Sequence, residues 1–258
     1  MKKSLIFSAL NTRATDNEKR TGVNGLEKIL YEGKSKTICQ GIDEKSLIIH
    51  YKDDATAFNG GKKEKLPGKG ALNAAISHLI YKYLAENGIK THLLKVIDDT
   101  SALVKKAEIV MIEVIVRNVA AGGFSEKYGV PEGSALKNTV VEFCLKSDKL
   151  GDPMINESQI TALGLAAEAE LSAMVQQSLK INQLLCRLFT QAKIRLIDFK
   201  LEFGRCDNQL ILCDEISPDS CRLWDADTGK KLDKDRFRRD MDGVLDGYRD
   251  VLRRLKNV

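Results

Sequence analysis

Apolar and charged positions alternate most strictly around residue 200. Ile197, Phe199, Leu201 and Phe203 interleave with Asp198, Lys200 and Glu202. A period of two belongs to a β-strand, so one face packs and the other carries two acids and a lysine. Residues 204–209 are turn-rich, and the apolar run 210–213 ends in Asp214 and Glu215, which predicts the return strand of a hairpin. Register decides whether Asp214 joins the face of Asp198 and Glu202, because a slip of one residue sends it to the other side.

The same pattern predicts elements along the rest of the chain. Residues 26–37 read as a strand, a turn at Gly33 flanked by Lys34 and Lys36, and a second strand. A strand over 47–51 delivers the chain to a polar loop, 52–61. Residues 68–84 carry Leu72, Ile76, Leu79, Ile80, Tyr83 and Leu84 near helical spacing, with Asn87-Gly88 as the stop. Strands are predicted over 93–97 and 109–116, the second buried, with Arg117 and Asn118 at its mouth before a glycine-containing loop, 120–125. A further strand, 140–145, precedes the longest helical stretch, 166–193, whose stripe of Leu171, Met174, Leu184, Leu185 and Leu188 marks core scaffold. The charged run 233–240 reads as a solvated helix start, followed by an amphipathic helix through Leu245, Tyr248, Val251 and Leu255. No internal repeat or low-complexity linker interrupts the pattern, so closely joined lobes sharing one compact body are expected. Its expected parts are a flexible extension over 1–24, a β-rich N-terminal lobe over 25–113 and a C-terminal α+β lobe over 114–258.

Composition narrows the class. At 258 residues the chain can bury a sizeable core, and its net charge of +5 comes from 41 basic and 36 acidic side chains that are interspersed. That dispersal and the few aromatics argue against a nucleic-acid partner, while a modest positive balance suits a pocket for anionic ligands. The six cysteines form neither a CxxC pair nor a disulfide scaffold and are expected to be reduced thiols. The start, Met1-Lys2-Lys3, imitates a signal peptide, but its apolar part is too short and no small-residue cleavage site follows. With no apolar run long enough to span a bilayer, a cytoplasmic protein without a membrane partner is expected.

Candidate chemistry concentrates on the central hairpin. Carboxylates around one lysine, with no thiolate or imidazole nearby, suit a hard cation such as Mg2+ completed by phosphate oxygens. The plainer alternative is a solvated sheet face with cross-strand ion pairs. The segment continues into the turn Ser217-Pro218-Asp219-Ser220 and then Arg222 and Trp224, residue types an edge strand does not need. Arg117 beside a glycine pair is a candidate anion clamp, since a guanidinium offers a planar fork and the loop offers free N–H groups. Lys34 and Lys36 fit either phosphate binding or an exposed basic hairpin.

Taken together and in order, YEGKSK, DDATAFNG, GKGALN, VRNVAAGG, GDPMINES, IDFKLEFG, DEISPDSCRLWD and DKDRFRRD closely resemble the SAICAR synthetase family, the phosphoribosylaminoimidazole-succinocarboxamide synthases. The resemblance runs from Leu26 to Leu255, and IDFKLEFG followed by DEISPDSCRLWD is its most specific part. It implies a two-lobed α+β fold of antiparallel sheets with packed helices around a kinase-like ATP cleft. The implied reaction is ligation of L-aspartate to the carboxylate of carboxyaminoimidazole ribonucleotide (CAIR), with ATP consumed, Mg2+ required and an acyl phosphate as the route.

By resemblance, Glu202 and Asp214 hold Mg2+ and Asp152 serves a second metal, while Lys34, Lys36 and Lys146 surround ATP. Asp198 and Lys200 sit beside the CAIR imidazole and carboxylate. Arg117, Arg222 and Arg238 bind the anionic groups of the ribonucleotide, and residues 54–59, with Asp54 and Asn59, shape the aspartate end. Two positions depart from the family pattern. Gly123 stands where many members have a phosphate-binding serine, leaving its backbone amide or Ser125 for that contact. Asn59 stands where others have aspartate. The first 24 residues match nothing in the pattern. A homodimer is expected from bacterial relatives. The nearest competing reading is a small-molecule phosphotransferase using the same Mg-ATP cleft; the arginine set favours the ligase, and no HRD-type kinase loop is present.

Overall fold

The computed structural model describes residues 21–22, 25–26 and 28–258, so most of the extension expected over 1–24 lies outside the described residues. Two antiparallel sheets dominate. The first has five strands in the order Ile29–Glu32, Lys36–Gln40, Ser46–Tyr51, Ser101–Lys105, Leu93–Val96. Residues 52–61, expected as a loop, instead begin a small hairpin of Asp54–Ala57 and Lys62–Lys65 around a 3-10 turn at Phe58–Gly60.

The second sheet is built on the central strand Ile194–Cys206 and the long strand Glu108–Val119 beside it. The strand Ala135–Leu145 flanks the long strand on its other side. On its free side the central strand has two partners in succession: Gln209–Cys213 pairs with its C-terminal half and Cys221–Asp225 with its N-terminal half. The chain leaves the sheet at Asp214 and rejoins it at Cys221, which opens a gap beside Lys200; there Lys200 N donates to Ser220 O at 2.9 Å.

Alternation assigns the two faces of this sheet. Val110, Ile112, Val114, Val116, Phe199, Leu201 and Phe203 are almost fully buried in the main core. They pack with Leu171, Met174, Ile181, Leu185 and Phe189 of the helix Glu168–Gln191. Each such side chain contributes about 1.5–3 kcal/mol of burial. The helix Lys69–Glu86 joins the same core through Ile76, Ile80, Tyr81 and Leu84. Among the described residues no helix is long and apolar enough to cross a membrane.

Several expectations need correction. The division at residue 113/114 falls inside the strand Glu108–Val119, which extends through Arg117 and Asn118 rather than ending before them. Pairing with the central strand on one side and Ala135–Leu145 on the other holds Arg117 within the sheet. The expected loop 120–125 gives way to a short helix, Gly123–Tyr128. The charged run after Leu232 is not a solvated helix start: Asp233 and Asp235 are at most 1 % exposed and Arg236 is 8 % exposed.

Candidate active site

The charged face of the sheet is assembled by register. Glu113, Ile115 and Arg117 lie opposite Glu202, Lys200 and Asp198 respectively, so all six point the same way. Two acids directly across from one another, Glu113 and Glu202, repel unless a cation joins them. Lys200 supplies it, with Nζ 2.7 Å from Glu113 and 2.8 Å from Glu202. Lys146 adds a second ammonium 2.7 Å from the same Glu202 oxygen.

Asp214 reaches this face by an irregular route. Cys213 is the residue paired with Glu202, so continued alternation would send Asp214 to the opposite side. The strand ends at Cys213, and Asp214 adopts a left-handed backbone with φ 63°. Tyr81, from the helix Lys69–Glu86, fixes the turn: its hydroxyl donates to the carbonyls of Cys213 at 2.7 Å and Asp214 at 3.1 Å. The Asp214 carboxylate then meets Lys36 and stands 3.8 Å from Lys200 Nζ. Lys36 also lies 3.0 Å from Glu215. Burial pushes the Asp214 carboxyl up, but the charges of Lys36, Lys200 and Lys146 prevail and hold it well below the usual carboxylate range. Burial likewise opposes the charge on Lys36 and is outweighed by Asp214 and Glu215, so its pKa lies above the ordinary lysine value.

Beside this cluster lies a cavity of about 340 Å³ bordered by Lys200, Arg117, Asp198, Arg222, Arg238, Asp152 and Lys34. Asp198 organises its arginines: its Oδ2 accepts from Arg117 Nη1 at 2.7 Å and Arg222 Nη1 at 2.8 Å. Arg117 donates onward from Nε to Glu142 at 2.6 Å. Asp235 accepts from Arg222 Nε at 2.9 Å and Arg238 Nη1 at 2.5 Å. The buried charged run therefore provides the acid that aims two arginines. Gly122 makes room for Arg222, since with φ 52° any Cβ there would collide with the guanidinium.

The remaining candidates fall in different places. Lys34 lies at the cavity edge, 2.7 Å from Asp148 in an exposed pair. Asp152 lines the cavity while accepting from Ser147 N at 2.8 Å. Asp54 does not line it and pairs with Lys52 at 3.2 Å, although its neighbours Thr56, Ala57, Phe58 and Gly60 do. The side chain of Asn59 lies outside the described residues. Gly123 and Ser125 are not in the cavity wall, and Ser125 Oγ is buried without a partner among the described residues. Trp224 packs with Val119, Ala121 and Ile197.

Sequence reasoning passed over Glu113, Asp235, Lys234 and the buried Lys69–Asp219 pair. Glu113 sits between Ile112 and Val114 in a strand read as buried throughout, so a carboxylate inside an apolar run was itself the available signal. Among the described residues, no three His, Cys, Asp or Glu side chains gather into a metal cage. Glu202 and Asp214 offer the hard oxygens a divalent ion takes together with phosphate and water, while Lys36, Lys146 and Lys200, which pair with them here, suit the phosphate.

Comparison with known proteins identifies this frame. The SAICAR synthetase family model matches residues 29–255. The phosphoribosylaminoimidazole-succinocarboxamide synthase of Clostridium perfringens (strain 13 / Type A) is 52% identical over 235 residues, covering 91% of this chain and 100% of its own. The crystal structure of the Ehrlichia chaffeensis synthase superposes with a TM-score of 0.87 at 43% identity, covering 90% of this chain and 99% of that one. A SAICAR synthetase solved in complex with ADP gives a TM-score of 0.86 at 43% identity, covering 88% and 97%. Fold, site and relatives together define an ATP-dependent carbon–nitrogen ligase. The chain belongs to the SAICAR synthetase family, whose reaction joins L-aspartate to CAIR in purine biosynthesis.

Proposed function

We propose that the Glu202–Lys200–Asp214 cluster receives Mg2+ and the ATP phosphates, and that the adjoining arginine cavity holds CAIR with its carboxylate toward Lys200. The observation that carries this reading is the single ammonium of Lys200 shared between Glu202, at 2.8 Å, and Asp214, at 3.8 Å, at the boundary of the two regions. Lys34, Lys36 and Lys146 supply charge around the nucleotide. Asp152 stands ready for a second metal. Bound Mg2+ would screen the triphosphate charge and polarise its terminal phosphoryl group.

The chain's own residues supply alignment and charge neutralisation. Arg117 and Arg222, both tethered to Asp198, present fixed guanidinium forks to the ribonucleotide's anionic groups, with Arg238 anchored through Asp235 beside them. Lys200 stabilises the CAIR carboxylate as one of its oxygens attacks the γ-phosphorus. The bond from that phosphorus to the bridging oxygen breaks, and ADP leaves with its electrons. The aspartate amine then attacks the acyl carbon, forming the C–N bond; phosphate departs from the same carbon and the amine loses a proton. The segment 54–59 shapes the aspartate end, with Thr56 to Phe58 contributing the wall.

The same reading includes a cytoplasmic homodimer, for which sedimentation of the purified protein is the check. Incubation with ATP, Mg2+, CAIR and aspartate tests the ligation: one ADP and one phosphate per amide are expected, with no amide when aspartate is omitted. ADP release without aspartate-dependent amide would instead support phosphotransfer.

A further inference from the structure

Six cationic side chains line the cavity: Lys34, Arg117, Lys200, Arg222, Lys234 and Arg238. Five are matched within the protein. Lys34 has Asp148, Arg117 and Arg222 share Asp198, Lys200 has Glu113 and Glu202, and Arg238 has Asp235. Among the described residues Lys234 Nζ has neither a hydrogen bond nor an ion pair.

The acid that acts on Lys234 is Asp219, and it is already committed. One Asp219 oxygen pairs with Lys69, which is fully buried, and the other accepts from Tyr248 Oη at 2.7 Å. Two ammonium groups, those of Lys69 and Lys234, thus act on one carboxylate that only Lys69 touches, which leaves one positive charge in excess for a ligand to complete. Burial lowers the Lys234 pKa from the ordinary lysine value, with Asp219 opposing and Lys69 and Arg238 adding to the lowering.

The ligand's charge pattern can be read from this wall. Asp219 also lines the cavity, so the ammonium of Lys234, which touches no carboxylate, stands in the same wall as one. Lys69, Lys234 and Asp219 together carry one net positive charge, which a single carboxylate matches and a phosphate dianion exceeds. Resting on the ligase reading above, we propose that Lys234 binds a carboxylate of the incoming aspartate and is a specificity-determining residue for that substrate.

Steady-state kinetics of wild type, Lys234→Gln and Lys234→Arg test this. Loss of one charge-assisted contact should raise the KM for aspartate in Lys234→Gln by about tenfold or more. The KM values for ATP and CAIR should stay within about twofold, and Lys234→Arg should recover part of the loss. A rise in the CAIR KM in place of the aspartate KM, or no change in either, overturns the inference. Thermal unfolding separates a structural role: with Lys69 and Tyr248 still holding Asp219 directly, the melting temperature of Lys234→Gln should stay close to that of wild type. A clear drop would mean that Lys234 serves to hold Asp219, and would also overturn it. Wild type that forms no aspartate-dependent amide would sink the ligase reading itself, whereas active wild type with an unaltered aspartate KM in the variant would sink this inference alone.

Discussion

Asp214 lies 3.8 Å from the ammonium of Lys200, although regular strand alternation beyond Cys213 would have placed it on the other side of the sheet. A single left-handed residue, braced by Tyr81, brings the two together. Aspartate tolerates that conformation better than β-branched or bulky residues do. Asp214→Asn keeps the backbone tolerance and removes the charge. It should lower kcat about 10²-fold or more, as losing one preorganised electrostatic group does in other enzymes, while circular dichroism stays unchanged. Turnover equal to wild type would remove Asp214 from the metal and nucleotide role.

Lys200 separates two acids that face each other across paired strands. Burial raises the Glu113 pKa, and Lys200 counteracts it. Lys200→Met leaves Glu113 and Glu202 without their shared cation and should destabilise the fold by about 3 kcal/mol, measured by urea unfolding at neutral pH. Glu113→Gln in the same background should recover part of that loss by removing the repulsion.

Gly122 is expected to be intolerant of any side chain. Gly122→Ala combines a positive φ with a collision against Arg222, so the guanidinium must leave Asp198. The backbone strain alone is about 1–2 kcal/mol. A rise in the KM for CAIR, with the KM for ATP little changed, is the expected kinetic result.

Asp235 gives the site a pH dependence with a definite sign. Burial raises its carboxyl, but Arg222 and Arg238 prevail and bring it down to about 2 from 3.8. Because the folded pKa is the lower one, the contribution is present above about pH 4 and is lost as pH falls toward 2. It amounts to roughly 2 kcal/mol. Denaturant unfolding of wild type and Asp235→Asn should therefore show the largest gap near pH 6 and a narrowing gap below pH 4.

The legible parts of the sequence were those governed by a local period. Alternation around Lys200 marked the charged face, and helical spacing marked the helices Lys69–Glu86 and Glu168–Gln191. The α+β frame of antiparallel sheets came from the family resemblance of the ordered motifs and not from a local period. The position of Asp214 was not legible, because a left-handed residue breaks the period at the point where register matters. The run 233–240 misled for another reason. Its buried acids are satisfied from elsewhere in space, Asp235 by Arg222 and Asp233 by the amide of Leu223, and a charge paired in space has the same local sequence as a solvated one.

Activation of the CAIR carboxylate by phosphoryl transfer, in the cavity between Lys200 and the arginines, is the step on which the proposed chemistry turns. CAIR labelled with ¹⁸O in its carboxylate tests it most directly, with the released inorganic phosphate read by mass spectrometry. Transfer of one ¹⁸O atom from the carboxylate to phosphate in each turnover is the predicted result. Phosphate free of label, alongside normal amide formation, would contradict the account.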